Sequence, residues 1–197
     1  MRLFVAVDLS EPAREAIAVE QARIAEALGP KASMKWVKPG AAHLTLVFLG
    51  HVEAGRAASV IETLGAGLDL PAFDLVLEGA GVFPPRGAPR VLWLGTTAGA
   101  AALIALQREM ASRVAGLGIA VDARPFHPHL TIGRWRESRP PDGRRALAAA
   151  RAGAIARVQV DHATLYESRL SPTGPDYTAL TRATLTRRTE PRTEPRT

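Results

Sequence analysis

A short pattern that occurs twice constrains the fold of this chain more than any other feature of its sequence. It is HLTL at residues 43–46, the first motif, and HLTI at residues 129–132, the second motif. Residues two apart on a β-strand share a face and lie about 6.6–6.8 Å apart. Each motif therefore predicts a strand that directs one imidazole and one hydroxyl to a polar face and two aliphatic side chains to the core.

The repetition of the motif is more informative than either copy. A single His-x-Thr in a strand is weak evidence, because Thr is common in strands and a His is often only a partly buried structural residue. The two motifs, however, share three of four positions, and each follows a proline within a few residues. Duplication of one lobe explains this better than chance, and the duplicated His is a candidate for a functional site.

The rest of the chain alternates between strand and helix signals. An apolar run at 2–8 predicts a buried strand, and Ser10 and Pro12 predict the start of a helix that ends at Leu28, before Gly29. Further strands are predicted near 33–37, 43–49, 72–78, 90–96, 129–134, 155–169 and 176–185, and helices near 54–66, 100–115 and 142–151. Antiparallel sheets interleaved with helices indicate the α+β class.

Composition favours a folded domain with a short tail. Of the 197 residues, 47% are apolar and 22% are charged, which supplies a core and does not resemble a disordered sequence. Residues 187–197 contain TEPRTEPRT, which has regularly spaced prolines and no apolar side chain. We predict a single bilobal domain over 1–186 and a disordered polar tail over 187–197.

Charge and cysteine content limit the kinds of site that the chain can carry. The formal net charge is +6, and nearly all the positive side chains are Arg, which suits either a polyanionic partner or an ordinary solvated surface. The absence of Cys excludes disulfides, thiolate metal sites and a cysteine nucleophile. The first apolar run is too short for a signal peptide or a membrane span, so we expect a cytoplasmic protein.

The chemistry of two His-Thr pairs suits reactions at phosphorus. An imidazole can act as acid or base near neutral pH, and in-line displacement needs one group to activate the nucleophile and another to protonate the leaving oxygen. The two threonine hydroxyls can donate hydrogen bonds to the non-bridging phosphate oxygens. Such a site requires no metal ion and no cofactor.

At this point the sequence resembles a known family, the RNA 2′,3′-cyclic phosphodiesterases, once called 2′-5′ RNA ligases, of the two-histidine phosphoesterase superfamily. The resemblance is carried by RLFVAVDL, KWVKPGAAHLTLVFLG, RPFHPHLTIGR and LYESRLSPTGPDYTAL. It implies a bilobal fold with pseudo-twofold symmetry, in which two antiparallel sheets with outer helices surround a central cleft. Each lobe would contribute one motif to that cleft.

The resemblance also implies roles for individual residues. His43 would donate a proton to the leaving oxygen, and His129 would accept a proton from the attacking water. Thr45 and Thr131 would bind phosphate oxygens.

Arg134 matches a family arginine that helps to hold the phosphate. It lies three positions after Thr131, so strict strand alternation would put it on the opposite face. Its participation requires the strand to end or bulge near Gly133. The alternative is a surface charge with no role in the site.

We therefore expect metal-independent hydrolysis of RNA 2′,3′-cyclic phosphate ends to 2′-phosphates, by a monomer that acts on RNA or on small cyclic nucleotides. One alternative is the reverse reaction, the joining of RNA ends through a 2′-5′ linkage without ATP. Another is a non-catalytic module that binds RNA 3′ ends. Retention of both histidines argues against the binding module, because Arg and Thr alone would serve phosphate capture.

Other polar and aromatic residues near the motifs carry weaker signals. Trp36 and Phe126 could stack on a base, although core packing is the more ordinary fate of large aromatic side chains. His127 is predicted at the rim of the site, because Pro128 disturbs its register with the second motif. His51 and His162 have no Thr partner and are interpreted as surface or structural residues.

Overall fold

The computed structural model describes residues 1–171 and 174–187. The predicted tail therefore lies, apart from Arg187, outside the described residues. In chain order the strands and α-helices are β1 (Arg2–Val7), α1 (Glu11–Leu28), β2 (Met34–Trp36), β3 (Leu44–His51), α2 (Ala57–Gly65), β4 (Leu68–Pro71), β5 (Phe73–Phe83), β6 (Val91–Thr96), α3 (Ala100–Gly116), β7 (His129–Trp135), α4 (Pro140–Ala149), β8 (Ala154–Val160), β9 (His162–Ser171) and β10 (Gly174–Thr186).

These strands form two five-stranded sheets. The first sheet has the order β3-β1-β9-β10-β4, and the second has the order β2-β7-β6-β5-β8. Neighbouring strands are antiparallel except for β4 and β10, which run parallel. The predicted α+β class with two sheets is confirmed, with one parallel pair where only antiparallel pairs were expected.

The two sheets repeat one unit. In the first, β1 leads through α1 to the motif strand β3, which pairs with β1; in the second, β6 leads through α3 to the motif strand β7, which pairs with β6. Each helix packs mainly on the other unit's sheet, since α1 contacts β7 and β8 while α3 contacts β3. The buried apolar side chains of both sheets consequently form one cluster.

The first helix shows how local sequence sets this packing. It begins after Ser10, has Pro12 in its first turn, and ends at Leu28, where Gly29 adopts a positive φ of 76°. Ile17 and Ile24 are completely buried on the face that meets the second sheet. None of the helices in the described part of the chain is long and apolar enough to span a bilayer.

The prediction of one strand over 155–169 was wrong. The segment forms two strands, β8 and β9, which meet at Asp161 and belong to different sheets. Apolar residues continue through the segment without a Gly or Pro to mark the crossing. The short strand β4 at the edge of the first sheet was also not predicted.

Candidate active site

The two motifs begin equivalent strands that lie side by side. His129 is the first residue of β7, and His43 directly precedes β3. Cα atoms of β3 and β7 approach within 8 Å of one another. The aliphatic residues of both motifs are buried, while both histidines and both threonines are partly exposed. The predicted separation of a polar face from a core face is present in each copy.

Each motif histidine is oriented by its own backbone in the same way. The Nδ1 atom of His43 lies 2.9 Å from the carbonyl oxygen of Ala41, and the Nδ1 atom of His129 lies 2.7 Å from that of His127. A carbonyl can only accept a hydrogen bond, so Nδ1 carries the proton in both rings. The Nε2 atom of each imidazole is left to exchange a proton with a ligand.

Aromatic rings of the first sheet surround His43. The Phe4 ring lies 4.8 Å from the imidazole, and the Tyr177 ring meets it edge-on at 5.1 Å. Burial lowers the pKa of His43 below its ordinary value, while the Ala41 carbonyl and the negative charge of Asp8 act in the opposite direction. The environment of His43 therefore favours the neutral imidazole in the free protein.

Asp8 anchors a polar network beside this aromatic cluster. Its carboxylate accepts hydrogen bonds from Thr164 at 2.8 Å, from His162 at 3.0 Å and from the Tyr166 hydroxyl. Burial raises the pKa of Asp8, but the bonds from His162, Tyr166 and Thr164 together lower it to about 2. Asp8 is therefore a fixed negative charge near His43. The sequence analysis assigned no role to Asp8.

His129 has a different set of neighbours on the second sheet. Phe83 meets its ring edge-on at 5.3 Å, and Trp93 lies at 6.2 Å. Trp93 packs directly over the backbone of Gly81, where a Cβ atom would lie 2.0 Å from the indole. A glycine at residue 81 thus allows the indole to take the position from which it supports His129.

A β-bulge in β7 brings Arg134 to the face of the second motif. Thr131 pairs with Trp93, but Gly133 pairs with Leu92, so Ile132 is the extra residue. After the bulge, Arg134 pairs with Val91 and is exposed, on the same face as Thr131. The bulge near Gly133 that Arg134 needs in order to reach this face is therefore present.

The first motif has a bulge at the equivalent position. Thr45 pairs with Ala6 and Val47 pairs with Val5, so Leu46 is the extra residue of β3. In β7 the carbonyl of the bulged Ile132 accepts hydrogen bonds from the Gln21 side chain at 2.8 Å and from the Val37 N–H at 3.0 Å. The carbonyl of the bulged residue is therefore fully satisfied from the β2 side and from α1.

The charge of Arg134 also acts on a residue of the first sheet. Burial raises the pKa of the Tyr177 hydroxyl, and the positive charges of Arg134 and Arg2 oppose this effect. Since Tyr177 contacts His43, the charge of Arg134 from one sheet acts on a ring beside the histidine of the other. The two sheets therefore share one electrostatic environment at the motifs.

The weaker candidates are separate from this arrangement. Trp36 and Phe126 are partly buried and pack against the core, in agreement with the packing interpretation.

The side chains of His51 and His127 are exposed, although the carbonyl of His127 orients His129. His162 belongs to the Asp8 network. In the described residues, no group of three or more His, Cys, Asp or Glu side chains lies close enough together to hold a metal ion.

The sequence analysis also missed Phe48. It stands five positions after His43, as Arg134 stands five positions after His129, and the two bulges give both residues the same relation to their motifs. Aligning the two motifs beyond their fourth position would have found this pair. Phe48 is 66% exposed, which is unusual for a large apolar side chain in a strand.

Comparison with known proteins shows which family the chain belongs to. The model of the 2′-5′ RNA ligase superfamily matches residues 9–171. The chain belongs to this superfamily. The match includes both motifs, the Asp161 crossing and the whole of the second sheet, while β1 and β10 of the first sheet lie outside it.

Individual relatives cover most of the chain. An RNA 2′,3′-cyclic phosphodiesterase of Archaeoglobus fulgidus is 34% identical over 179 residues, which are 90% of this chain and 96% of that protein. One of Geobacillus stearothermophilus is 38% identical over 151 residues; the match covers 75% of this chain and 47% of that longer protein. The crystal structure of Escherichia coli LigT complexed with 3′-AMP has a TM-score of 0.74, with 31% identity, and the match covers 94% of this chain and 98% of that one.

Proposed function

We propose that this protein hydrolyses 2′,3′-cyclic phosphate ends of RNA to 2′-phosphates, with His43 and His129 as a metal-independent acid and base pair. The observation that carries the proposal is the matched orientation of the two imidazoles, each fixed by a carbonyl two residues earlier. The names of the superfamily's phosphodiesterase relatives support the substrate class. So does the structural likeness to LigT complexed with a nucleoside monophosphate.

In the proposed reaction, water attacks the cyclic phosphorus while the bond to the ribose 3′ oxygen breaks. His129 accepts the proton of the water on Nε2, and His43 donates a proton from Nε2 to the departing 3′ oxygen. The products are a 2′-phosphate and a 3′-hydroxyl, and the two imidazoles exchange protonation states. A later proton exchange with solvent restores them.

His43 requires help to act as the acid, because its burial disfavours the protonated form. Two negative charges oppose this: the carboxylate of Asp8 in the protein and the phosphate of the substrate. A bound anion next to an imidazole raises its pKa. We infer that substrate binding favours the protonated form of His43. The acid is then present next to the leaving oxygen.

Thr45, Thr131 and Arg134 are proposed to hold the phosphate between the two imidazoles. Each Thr lies two residues from its motif histidine, on the polar face of the strand, and can donate a hydrogen bond to a non-bridging oxygen. Arg134 can add a charge-assisted bond from the same face of β7. Charge that develops on the phosphate in the transition state would be stabilised by all three.

The test is a single-turnover assay on a short RNA that ends in a 2′,3′-cyclic phosphate, in the presence of excess EDTA. We expect conversion to a 2′-phosphate, identified by its mobility against 2′- and 3′-phosphate standards. Loss of activity in EDTA and its recovery with a divalent ion would contradict the metal-independent mechanism. A 3′-phosphate product would contradict the assignment of the leaving oxygen.

The superfamily name also points to the reverse reaction, in which a 5′-hydroxyl RNA end replaces water and forms a 2′-5′ linkage. The same acid and base can catalyse both directions. Water at ~55 M favours hydrolysis unless a second strand is held in position. Adding a 5′-hydroxyl oligonucleotide to the same assay and looking for a longer product tests whether such a strand is bound.

A further inference from the structure

The polar face of the first sheet continues past the first motif. In the register of β1 and β3, Thr45 pairs with Ala6, Phe48 pairs with Phe4, and His51 pairs with Arg2. Register partners direct their side chains to the same face. Side chains of Thr45, Phe48 and Arg2 therefore form a row that leads away from His43.

The members of this row beyond Thr45 are open to solvent. Phe48 is 66% exposed, and Arg2 and His51 are also exposed. Within residues 1–171 and 174–187, Arg2 forms no ion pair with a carboxylate. The row thus presents the solvent-exposed ring of Phe48 next to the positive charge of Arg2, which no carboxylate in that part of the chain pairs with.

Tyr177 connects the row with the motif histidine. Its ring contacts both Phe4 and His43 at 5.1 Å. The charge of Arg2 acts on the Tyr177 hydroxyl and opposes the rise in its pKa that burial causes. Arg2 therefore acts on the same side of the first sheet as His43.

The groups of the row suit the 3′ end of an RNA strand, which offers a base and a further phosphate beside the cyclic one. In such an end the cyclic phosphate lies on the terminal ribose, and the next phosphate is the one on the 5′ oxygen of that ribose. Arg2 is four residues from Ala6 along β1, which is about 13 Å in a strand. A guanidinium can bind that second phosphate through two parallel hydrogen bonds, and an exposed aromatic ring can stack on a base.

We propose that Arg2 binds the phosphate on the 5′ side of the terminal nucleotide, with Phe48 against the base, so that the protein prefers RNA ends to mononucleotide 2′,3′-cyclic phosphates. This inference rests on the proposed function, because it places the cyclic phosphate at the two motifs. It specifies the substrate class more closely, since a nucleoside cyclic phosphate lacks the group that Arg2 would bind.

Three substrates test the proposal: adenosine 2′,3′-cyclic phosphate, its 5′-phosphorylated form, and the dinucleotide ApA ending in a 2′,3′-cyclic phosphate. We expect kcat/KM to be about 10-fold higher for the two substrates with a 5′ phosphate, which is the lower end of the effect of a hydrogen bond to a charged group. Arg2→Ala should bring this ratio close to one. Arg2→Lys should keep part of this preference, because Lys retains the positive charge but cannot form two parallel hydrogen bonds to the phosphate.

Arg108→Ala is the matched control, since Arg108 is exposed on α3 and its replacement removes the same charge. It should leave the ratio unchanged. Equal kcat/KM for all three substrates in the wild type, or an unchanged ratio in Arg2→Ala, would overturn the inference and leave the proposed function in place.

Absence of turnover with every substrate would instead contradict the proposed function. The affinities for adenosine 2′-phosphate and adenosine 2′,5′-bisphosphate then compare ligands without and with a 5′ phosphate, and this measurement requires no turnover. We expect the bisphosphate to bind about 10-fold more tightly to the wild type and to lose this advantage in Arg2→Ala. Equal affinities in the wild type would overturn the role of Arg2.

Discussion

The surroundings of His43 and His129 differ, although the two motifs have the same backbone plan. Both imidazoles are held through Nδ1 by a carbonyl two residues earlier, and both strands bulge at the fourth position of the motif. Aromatic rings lie beside both imidazoles, Phe4 and Tyr177 at His43 and Phe83 and Trp93 at His129. The charged neighbours differ, because the carboxylate of Asp8 acts on His43, whereas an arginine follows His129 further along its strand.

The difference shows how a duplicated unit can divide one reaction into two roles. The shared backbone plan orients the two rings, and the charged side chains near them differ. At the fifth position after each His, one copy has the exposed ring of Phe48 and the other has the charge of Arg134. We infer that the second motif holds more of the phosphate charge, while the first motif supplies the proton.

The largest effect is expected from the histidines. His43→Ala and His129→Ala should each lower the single-turnover rate on cyclic-phosphate RNA by ~10²–10⁴, because each removes a positioned acid or base. Arg108→Ala is the control, since that residue is exposed on α3 and belongs to neither motif. A change confined to KM in either motif variant would assign that histidine to binding instead of proton transfer.

The threonines should have a smaller effect than the histidines. Thr→Val keeps the shape of the side chain and removes one hydrogen bond to an anionic oxygen, which is worth ~1.5–3 kcal/mol. Thr45→Val and Thr131→Val should therefore each reduce kcat/KM by roughly 10- to 150-fold. Circular dichroism and thermal unfolding check that both variants remain folded, and unchanged kcat/KM would exclude the threonines from the site.

Arg134 should give a loss of affinity that depends on salt. Arg134→Ala should weaken binding of a 2′-phosphate product more in low salt than in high salt, because salt screens part of a charge interaction. Titrations at two salt concentrations measure this effect. Arg144, exposed on α4, is the matched control. Equal losses for both variants would mean that only the net charge of the protein matters.

The smallest expected effect is a shift in the titration of His43. Since the negative charge of Asp8 raises the pKa of His43 against its burial, Asp8→Asn should lower that pKa further. The pKa of His162 should fall too, because the hydrogen bond that raises it most would lose the negative charge of its acceptor. NMR titration of the two rings measures both shifts. Asp122→Asn, a charge change at an exposed residue, should leave both pKa values unchanged. An unchanged pKa of His43 in Asp8→Asn would show that Asp8 does not act on His43.

Local sequence was sufficient to predict the motif strands and most helices. Alternation around Thr45 and Thr131 gives the correct faces, and Ser10, Pro12 and Gly29 mark both ends of α1 within a residue. It was not sufficient where distant contacts decide the structure. No local signal marks Asp161 as the point where the chain leaves one sheet for the other.

The surroundings of the site were also beyond sequence reasoning. The partners of Asp8 are more than 150 residues away along the chain, and no spacing rule connects them. The carbonyl of Ile132, the bulged residue before Arg134, accepts a hydrogen bond from Gln21 of a distant helix. Residues that act through strand register or long-range hydrogen bonds, such as Phe48 and Asp8, become visible only in the fold.

The most direct test of the central claim is the pH dependence of kcat/KM in the wild type and in the two histidine variants. If His129 is the base and His43 the acid, the wild-type profile is bell-shaped. His43→Ala should lose the fall in rate at high pH, because only a neutral base is then required. His129→Ala should lose the fall at low pH, because only a protonated acid is then required. Loss of the same limb in both variants, or a bell shape that survives in either, would contradict the division of roles.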